Sequence, residues 1–346
     1  MVPQRFAEEV LSLIAPRLAG LLAAAVRELT APLEEIRLRQ GRPVHLVTAA
    51  GDGFLTPAGR LTGDAARAEV AYGEDLTRSF QLIARGSVYA WEDEVRTGYL
   101  TLPGGHRVGL AGRVVTEAGR VRTFRSVAGL NIRIAREVRG AAAGLLPRLV
   151  AGGRAQSTLI VSPPQAGKTT VLRDLVRLLS TGVPALGLRG QKVGLVDERS
   201  EVAGCREGVP QLDVGPRTDV LDGCPKAEGL LLLIRSMSPD VVALDEIGRR
   251  EDALAVLEGL HAGVAVIATA HGFGPEDIRR RPALAELLAT GAFRRVAVLG
   301  RSRGPGTVEK VFDLTDAAGG GWVADQDARS GVGGGRDHLD RVAGGG

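Results

Sequence analysis

The stretch Ser162-Pro163-Pro164-Gln165-Ala166-Gly167-Lys168-Thr169-Thr170 has the residue types and order that phosphate binding requires. A glycine lets backbone N–H groups close on phosphate oxygens with no Cβ in the way, a lysine adds a point charge, and an adjacent hydroxyl can join a Mg²⁺ shell. Gly167, Lys168 and Thr169 occupy those three places. The usual pattern is GxxxxGK[ST], and here Ser162 stands at its first glycine, a costly exchange only where φ must be positive. The chain holds four lysines (Lys168, Lys192, Lys226, Lys310) against 40 arginines, so a lysine at this position is informative.

Other polar residues stand at the ends of apolar runs. Val241-Val242-Ala243-Leu244 leads into Asp245-Glu246. The first acid suits a Mg²⁺ ligand and the second a base that polarises an attacking water. Val193–Val196 leads into Asp197-Glu198-Arg199-Ser200-Glu201; alone, such a cluster is as readily a solvated loop as a functional one. Ala265–Ala270 delivers His271, which in isolation would be an ordinary loop histidine. After three other apolar runs with polar ends, a γ-phosphate sensor or coupling role for His271 becomes an equal reading.

The elements that must position these groups follow a strand–loop–helix grammar. Strands are expected at Thr158–Val161, Val193–Val196, Val241–Leu244, Val264–Ala268 and Arg294–Leu299, and helices at Lys168–Ser180, Ala227–Met237 and Glu251–His261. Apolar strands alternating with helices imply a parallel sheet covered on both faces, with ligands at its C-terminal edge. Residues 157–314 would form this α/β domain. An Ala/Gly-rich segment, 141–156, reads as a linker. From Thr315 onward 10 of 32 residues are Gly, and 315–346 is expected to be disordered.

Residues 1–140 read differently, as a smaller α+β domain. Phe6, Val10, Leu13 and Ile14 recur at helical spacing; Pro16 should end or kink that segment, and Leu18–Leu29 resumes it. Alternation then marks strands at Glu35–Arg39 and Val44–Val47 around a Gln40-Gly41-Arg42-Pro43 turn. Gly51-Asp52-Gly53 is expected to close another hairpin, a helix is expected near Glu74–Arg85, and hairpins turn at Pro103-Gly104-Gly105 and Glu117-Ala118-Gly119.

Composition excludes several classes. Of 346 residues 44% are hydrophobic, enough for a substantial core, and the 48 glycines have no G-X-Y period. The net charge is +4; residues 1–150 carry 20 Arg against 15 acids, or +5, and residues 151–346 carry 24 cations against 25 acids, or −1. Cys205 and Cys224 form neither a CxxC nor a disulfide framework, and are expected to be reduced and structural; the five histidines form no zinc pattern. The longest clean apolar stretch near the start, Leu18 to Val26, is far short of the ~20 residues of a membrane span. A cytoplasmic protein reaching a membrane only through partners is the expectation.

The order of these strings resembles the type II/IV secretion-ATPase superfamily of P-loop, RecA-like proteins. Its shared features are a Walker A loop, an acidic box (here Asp197–Glu201), a Walker B strand approached by Pro239-Asp240, and a histidine box (here Thr269-Ala270-His271). Longer strings resemble its sporulation stage III AA branch in endospore-forming bacteria: Val196–Gly204, Asp219–Ala227, Arg235–Asp240, Gly105–Arg113 and Asn131–Glu137. The resemblance covers roughly residues 30–315. It implies ATP and Mg²⁺ as cofactors, with Ser162 to Thr170 holding the phosphates. Thr169, Asp245 and Asp197 would serve the metal; Glu246, Lys168, Glu198, Glu201 and His271 would serve catalysis. It also implies a homo-oligomer, a hexamer in related ATPases, working with membrane proteins of a trans-envelope sporulation channel. An arginine from a neighbouring subunit would complete the site, with Arg217, Arg235, Arg133 and Arg136 as candidates.

Two competing readings remain at this level. One is a nucleic-acid-translocating motor, supported only by the basic first half and opposed by the shortage of aromatic stacking residues. The other is an ATP-gated assembly scaffold that does not hydrolyse. Neither accounts for the acidic and histidine strings.

Overall fold

The computed structural model describes residues 6, 9–84, 98–314 and 323–324. The chain divides into two compact units, Met1–Arg136 and Glu137–Gly346.

In the first unit, helix α1 (Pro16–Glu28) begins at Pro16 rather than resuming after it, and Leu11–Leu13 before it is one 3₁₀ turn. Proline has no N–H to lose at the first helical position, so its fixed φ starts a helix as well as it ends one. Strands β1 (Leu33–Arg39), β2 (His45–Thr48), β3 (Gly51–Leu55) and β4 (Leu61–Thr62) precede helix α2 (Gly73–Ile83). Strands β5 (Tyr99–Thr101), β6 (Arg107–Glu117) and β7 (Arg120–Arg133) follow. They form one sheet in the order β4-β3-β2-β1-β7-β6-β5, antiparallel throughout. Thr48 pairs with Gly51, so Ala49-Ala50 makes the β2–β3 turn and the Gly51-Asp52-Gly53 string lies inside β3. Leu18, Leu22, Ile36, Leu38, Leu46, Leu76, Val108 and Ile132 are buried in the core of this unit. Arg85, at the end of the expected second helix, lies outside the described residues.

The second unit carries an eight-stranded sheet. Its elements in chain order are β8 (Thr158–Ser162), α3 (Lys168–Thr181), β9 (Val193–Asp197), β10 (Thr218–Asp222), α4 (Lys226–Met237), β11 (Val241–Leu244), α5 (Arg250–His261) and β12 (Ala265–His271). After these come α6 (Pro275–Arg279), α7 (Pro282–Ala289), β13 (Arg295–Gly300), β14 (Thr307–Asp313) and β15 (Val323–Ala324). The order across the sheet is β10-β9-β11-β12-β8-β13-β14-β15, parallel from β10 to β13 and antiparallel beyond.

Alternate residues of each central strand enter separate cores. Ile160, Leu195, Ala243 and Ile267 pack with Leu172, Leu175 and Leu179 of α3. Leu159, Val161, Val242, Leu244 and Val266 pack with Leu230 and Leu233 of α4, Val256 of α5 and Leu284 of α7. Burial on both faces explains why these strands are continuous apolar runs, and each fully buried Leu, Ile or Val contributes about 1.5–3 kcal/mol. Residues 141–156, expected to be a linker, belong to the first of these cores. Ala142, Leu145, Leu146 and Leu149 are buried there, and Val150–Ala151 pairs with Arg154–Ala155 as a small hairpin. The small residues of that stretch conceal a leucine-spaced apolar face. Within the expected tail, Val323–Ala324 pairs with Phe312 and Asp313 as β15; the rest of 315–346 lies outside the described residues.

Candidate functional site

The loop between β8 and α3 is set by backbone geometry. Gln165 (φ 58°) and Gly167 (φ 82°) both take left-handed conformations. Gly167 caps α3, and a Cβ there would stand 2.8 Å from the backbone nitrogen of Gly306. A side chain at 167 is therefore excluded by two independent constraints. Ser162 closes β8 in extended, fully buried backbone, and its carbonyl accepts from Gly272 N–H at 3.0 Å. The strained positions lie further along, so serine in place of the usual first glycine costs no backbone energy. Two of the loop carbonyls are held by residues 301–306. Gln165 O accepts from Arg301 Nη2 (2.6 Å) and Nε (3.2 Å), and Ala166 O accepts from Gly306 N–H (2.8 Å). Starting α3 at Lys168 leaves its first-turn N–H groups without intrahelical acceptors, with the positive end of the helix dipole behind them. Pro163, Pro164 and Ala166 complete the loop, and Thr170 follows in the first helical turn.

Three further strand ends arrive beside this loop. Ser162 pairs with His271, which brings the end of β12 next to the end of β8. Lys168 is buried, and its Nζ lies 3.2 Å from His271 Nδ1 and 3.3 Å from Nε2. His271 Nε2 is 3.2 Å from Glu246 Oε1. The imidazole therefore lies between the Lys168 ammonium and the Glu246 carboxylate. The Glu246 carboxylate also pairs with Arg199 at 3.4 Å. Burial pushes the Lys168 ammonium below its ordinary pKa, and the charges of Asp245 and Glu246 partly restore it.

Thr169 Oγ1 donates to Asp245 Oδ2 at 3.1 Å. On the far side of the same carboxylate, Thr269 Oγ1 donates to Oδ1 at 2.6 Å, and Glu246 N–H donates to Thr269 Oγ1 at 2.8 Å. Thr169 and Asp245 thus offer a hard oxygen pair, the kind Mg²⁺ takes when phosphates and waters supply its other ligands. Glu246 itself sits at φ 57°, unusual for a residue with a side chain, in the turn that leaves β11.

Asp197 has both oxygens engaged by the backbone of its own loop. It is 1% exposed, its Oδ1 accepts from Glu201 N–H (2.8 Å), and its Oδ2 accepts from Val202 (3.0 Å) and Ala203 (2.8 Å). Burial pushes its carboxyl above the usual range while those three N–H groups oppose the shift. The residue shapes the acidic loop from inside. Arg173 of α3 fastens the same loop, donating to the carbonyls of Val202 and Glu201 (2.7 Å for the latter). Glu198 forms an ion pair with Lys226. Glu201 is exposed, and its charge reaches Lys168. A cleft of about 170 Å³ opens beside Glu246 and His271 and is lined also by Glu198, Arg199, Arg249 and Arg281.

Among the arginine candidates, Arg217 is used internally, donating to the carbonyls of Ser180 (2.8 Å) and Thr181 (3.5 Å) at the end of α3. Arg133 pairs with Glu35 at 3.3 Å, and Arg235 is exposed on α4. Both cysteines are free, Cys205 buried and Cys224 partly so. Sequence reasoning missed Thr269, Arg173 and Arg301 as supports of the site. Thr269 was visible inside the histidine string, whereas nothing near Arg301 signals its return to Gln165.

The family model for sporulation stage III, protein AA, matches residues 4–318. The chain belongs to that family. It is 49% identical over 281 residues to stage III sporulation protein AA of Bacillus subtilis (strain 168), spanning 81% of this chain and 87% of that protein. A more distant relative is protein Seedling plastid development 1 of Arabidopsis thaliana, 30% identical over 164 residues, covering 47% of this chain and 22% of that one. Among solved structures, the pilus retraction motor PilT with bound ADP aligns with a TM-score of 0.53 and 14% identity, over 91% of this chain and 81% of that one. The ATPase DotB of Legionella pneumophila aligns with a TM-score of 0.50 and 14% identity, over 82% and 74%. The chain therefore shares the fold of these two proteins. No helix among the described residues is long and apolar enough to cross a membrane.

Proposed function

We propose that this chain is a Mg²⁺-dependent ATPase of the secretion type that powers or gates a trans-envelope sporulation channel. The observation that carries the reading is the convergence of Lys168, Thr169, Asp245, Glu246 and His271 at the ends of β8, β11 and β12, linked by contacts of 3.1–3.3 Å and through Thr269. The naming of PilT and DotB as a motor and an ATPase adds to it.

In this reading the loop from Ser162 to Thr170 wraps the phosphates with N–H groups, and Lys168 exchanges its His271 contact for phosphate oxygens. Thr169 and Asp245 hold Mg²⁺, which when bound screens the phosphate charge and favours departure of the terminal phosphoryl group. Glu246 orients the attacking water and accepts its proton. In the present arrangement Arg199 and His271 occupy the Glu246 carboxylate, so turnover requires those contacts to open. His271, touching both Lys168 and Glu246, is placed to report phosphate occupancy to the base. Glu198 and Glu201 contribute field rather than metal ligation. Subunits assemble into a ring, a hexamer in the resembled superfamily, and an arginine from the neighbour completes the site; Arg133, Arg136 and Arg235 remain as candidates. The protein sits in the cytoplasm and meets the membrane through protein partners of the sporulation channel.

The test is the mass and ATPase rate of the purified chain with and without ATP·Mg²⁺. A ring whose turnover rises with protein concentration is expected. A monomer that never binds the nucleotide would overturn the reading, and ring formation without turnover would favour the scaffold.

A further inference from the structure

Strand β12 runs past the end of β11: the last paired residues are Leu244 and Ala268, and Thr269 lies one step beyond. At that step side chain and backbone of Thr269 take over from the ladder. Its carbonyl accepts Ile247 N–H at 2.7 Å, its Oγ1 accepts Glu246 N–H at 2.8 Å, and the same hydroxyl donates to Asp245 Oδ1 at 2.6 Å. The residue is fully buried. A hydroxyl has one proton to give, and here it goes to Asp245 while a lone pair faces Glu246.

We propose that Thr269 is a positioning residue, a clamp that holds the Asp245 carboxylate by its Oδ1 and the strained backbone of Glu246 in one hydrogen-bonded turn. The proposal rests on the ATPase reading above. Tying Oδ1 to Thr269 leaves Oδ2, the oxygen next to Thr169, as the metal-facing one. Holding the Glu246 amide stabilises φ 57°, which a non-glycine residue abandons when nothing opposes it. That conformation aims the Glu246 carboxylate at His271 and Arg199. Release of the clamp lets both acids leave their places together, although Thr269 itself is fully buried.

Thr269→Val keeps the shape and removes both hydrogen bonds, whereas Thr269→Ser keeps the hydroxyl. Thr269→Ala stands in if the valine variant does not fold. With the full chain and ATP, Thr269→Val is expected to lower kcat about 10- to 100-fold, the usual effect of losing a partner behind a metal ligand. It should raise the Mg²⁺ concentration for half-saturation and leave Mg²⁺-free ATP binding unchanged. Thr269→Ser should recover kcat to within about threefold. Amide exchange resolved at Glu246, measured without nucleotide, should quicken at least about tenfold in the valine variant and stay slow in the serine one, as expected when an amide loses its acceptor. Wild-type kcat and Mg²⁺ dependence in Thr269→Val would overturn the proposal, as would a serine variant as impaired as the valine one. If the unmutated chain shows no turnover, the ATPase reading falls with the catalytic part of this role, while the exchange experiment still decides whether the clamp exists.

Discussion

Replacing Asp197 by alanine separates a structural acid from a metal ligand. The change strips the acceptor from three backbone N–H groups, those of Val202 and Ala203, which are buried, and that of Glu201, which is part-buried. Each unsatisfied N–H costs about 1–3 kcal/mol. Removing a carboxylate that burial disfavours returns part of this, since its pKa is already pushed up. The net loss is on the order of 3 kcal/mol, and at ~2–4 °C per kcal/mol for a unit of this size Tm should fall by about 6–12 °C. Urea unfolding should show a lower midpoint at unchanged m-value. Nucleotide binding in the folded variant should keep its Mg²⁺ half-saturation within about threefold, because a residue outside the metal's reach has no strong handle on its affinity. A Tm within about 2 °C of wild type, together with a tenfold or larger rise in Mg²⁺ half-saturation, would refute the argument and return Asp197 to the metal.

Other expectations follow from single contacts. Arg301→Ala removes both guanidinium bonds to the exposed Gln165 carbonyl and loosens the phosphate loop; ATP affinity by fluorescence titration should weaken about three- to tenfold with Tm little changed. Burial pushes the Asp75 carboxyl up, but Arg17 and the Tyr72 N–H together outweigh it and hold the group below its ordinary value. Its contribution is therefore complete above the unfolded-state carboxylate pKa and lost as pH falls through the depressed folded value. Unfolding followed from pH 6 into strong acid should show that loss in wild type and less of it in Asp75→Asn. Burial raises the Cys205 thiol to about 12, so at pH 8 a thiol reagent should label Cys224 first and reach Cys205 at the rate of unfolding.

Legibility in the sequence tracked the range of the physics. Val241–Leu244 and Thr158–Val161 read correctly as strands because burial on both faces makes a central strand mostly apolar, a signal contained within four or five positions. Lys168 stood out because a strand, a turn and a helix start surround it locally. The three amides on Asp197 are not legible in sequence, because an acid at a strand end looks the same whether it meets a metal or the backbone of its own loop. Residues 141–156 were misjudged because alanine and glycine dominate the composition while Leu145, Leu146 and Leu149 supply the packing. Pro16 marks an end or kink in sequence, and its ring opens the second helical segment two residues before the expected Leu18. Arg301 lies 136 residues from Gln165 in sequence, and such a contact leaves no local trace.

The most direct measurement is single-turnover hydrolysis of ATP·Mg²⁺ by the assembled wild-type chain, Glu246→Gln and Lys168→Ala, with nucleotide binding measured on the same samples. The account predicts that Glu246→Gln binds as wild type does and loses hydrolysis by about 100-fold or more, the scale of a general base. Lys168→Ala should fail at binding. Hydrolysis at the wild-type rate in Glu246→Gln, or undiminished binding in Lys168→Ala, would contradict it.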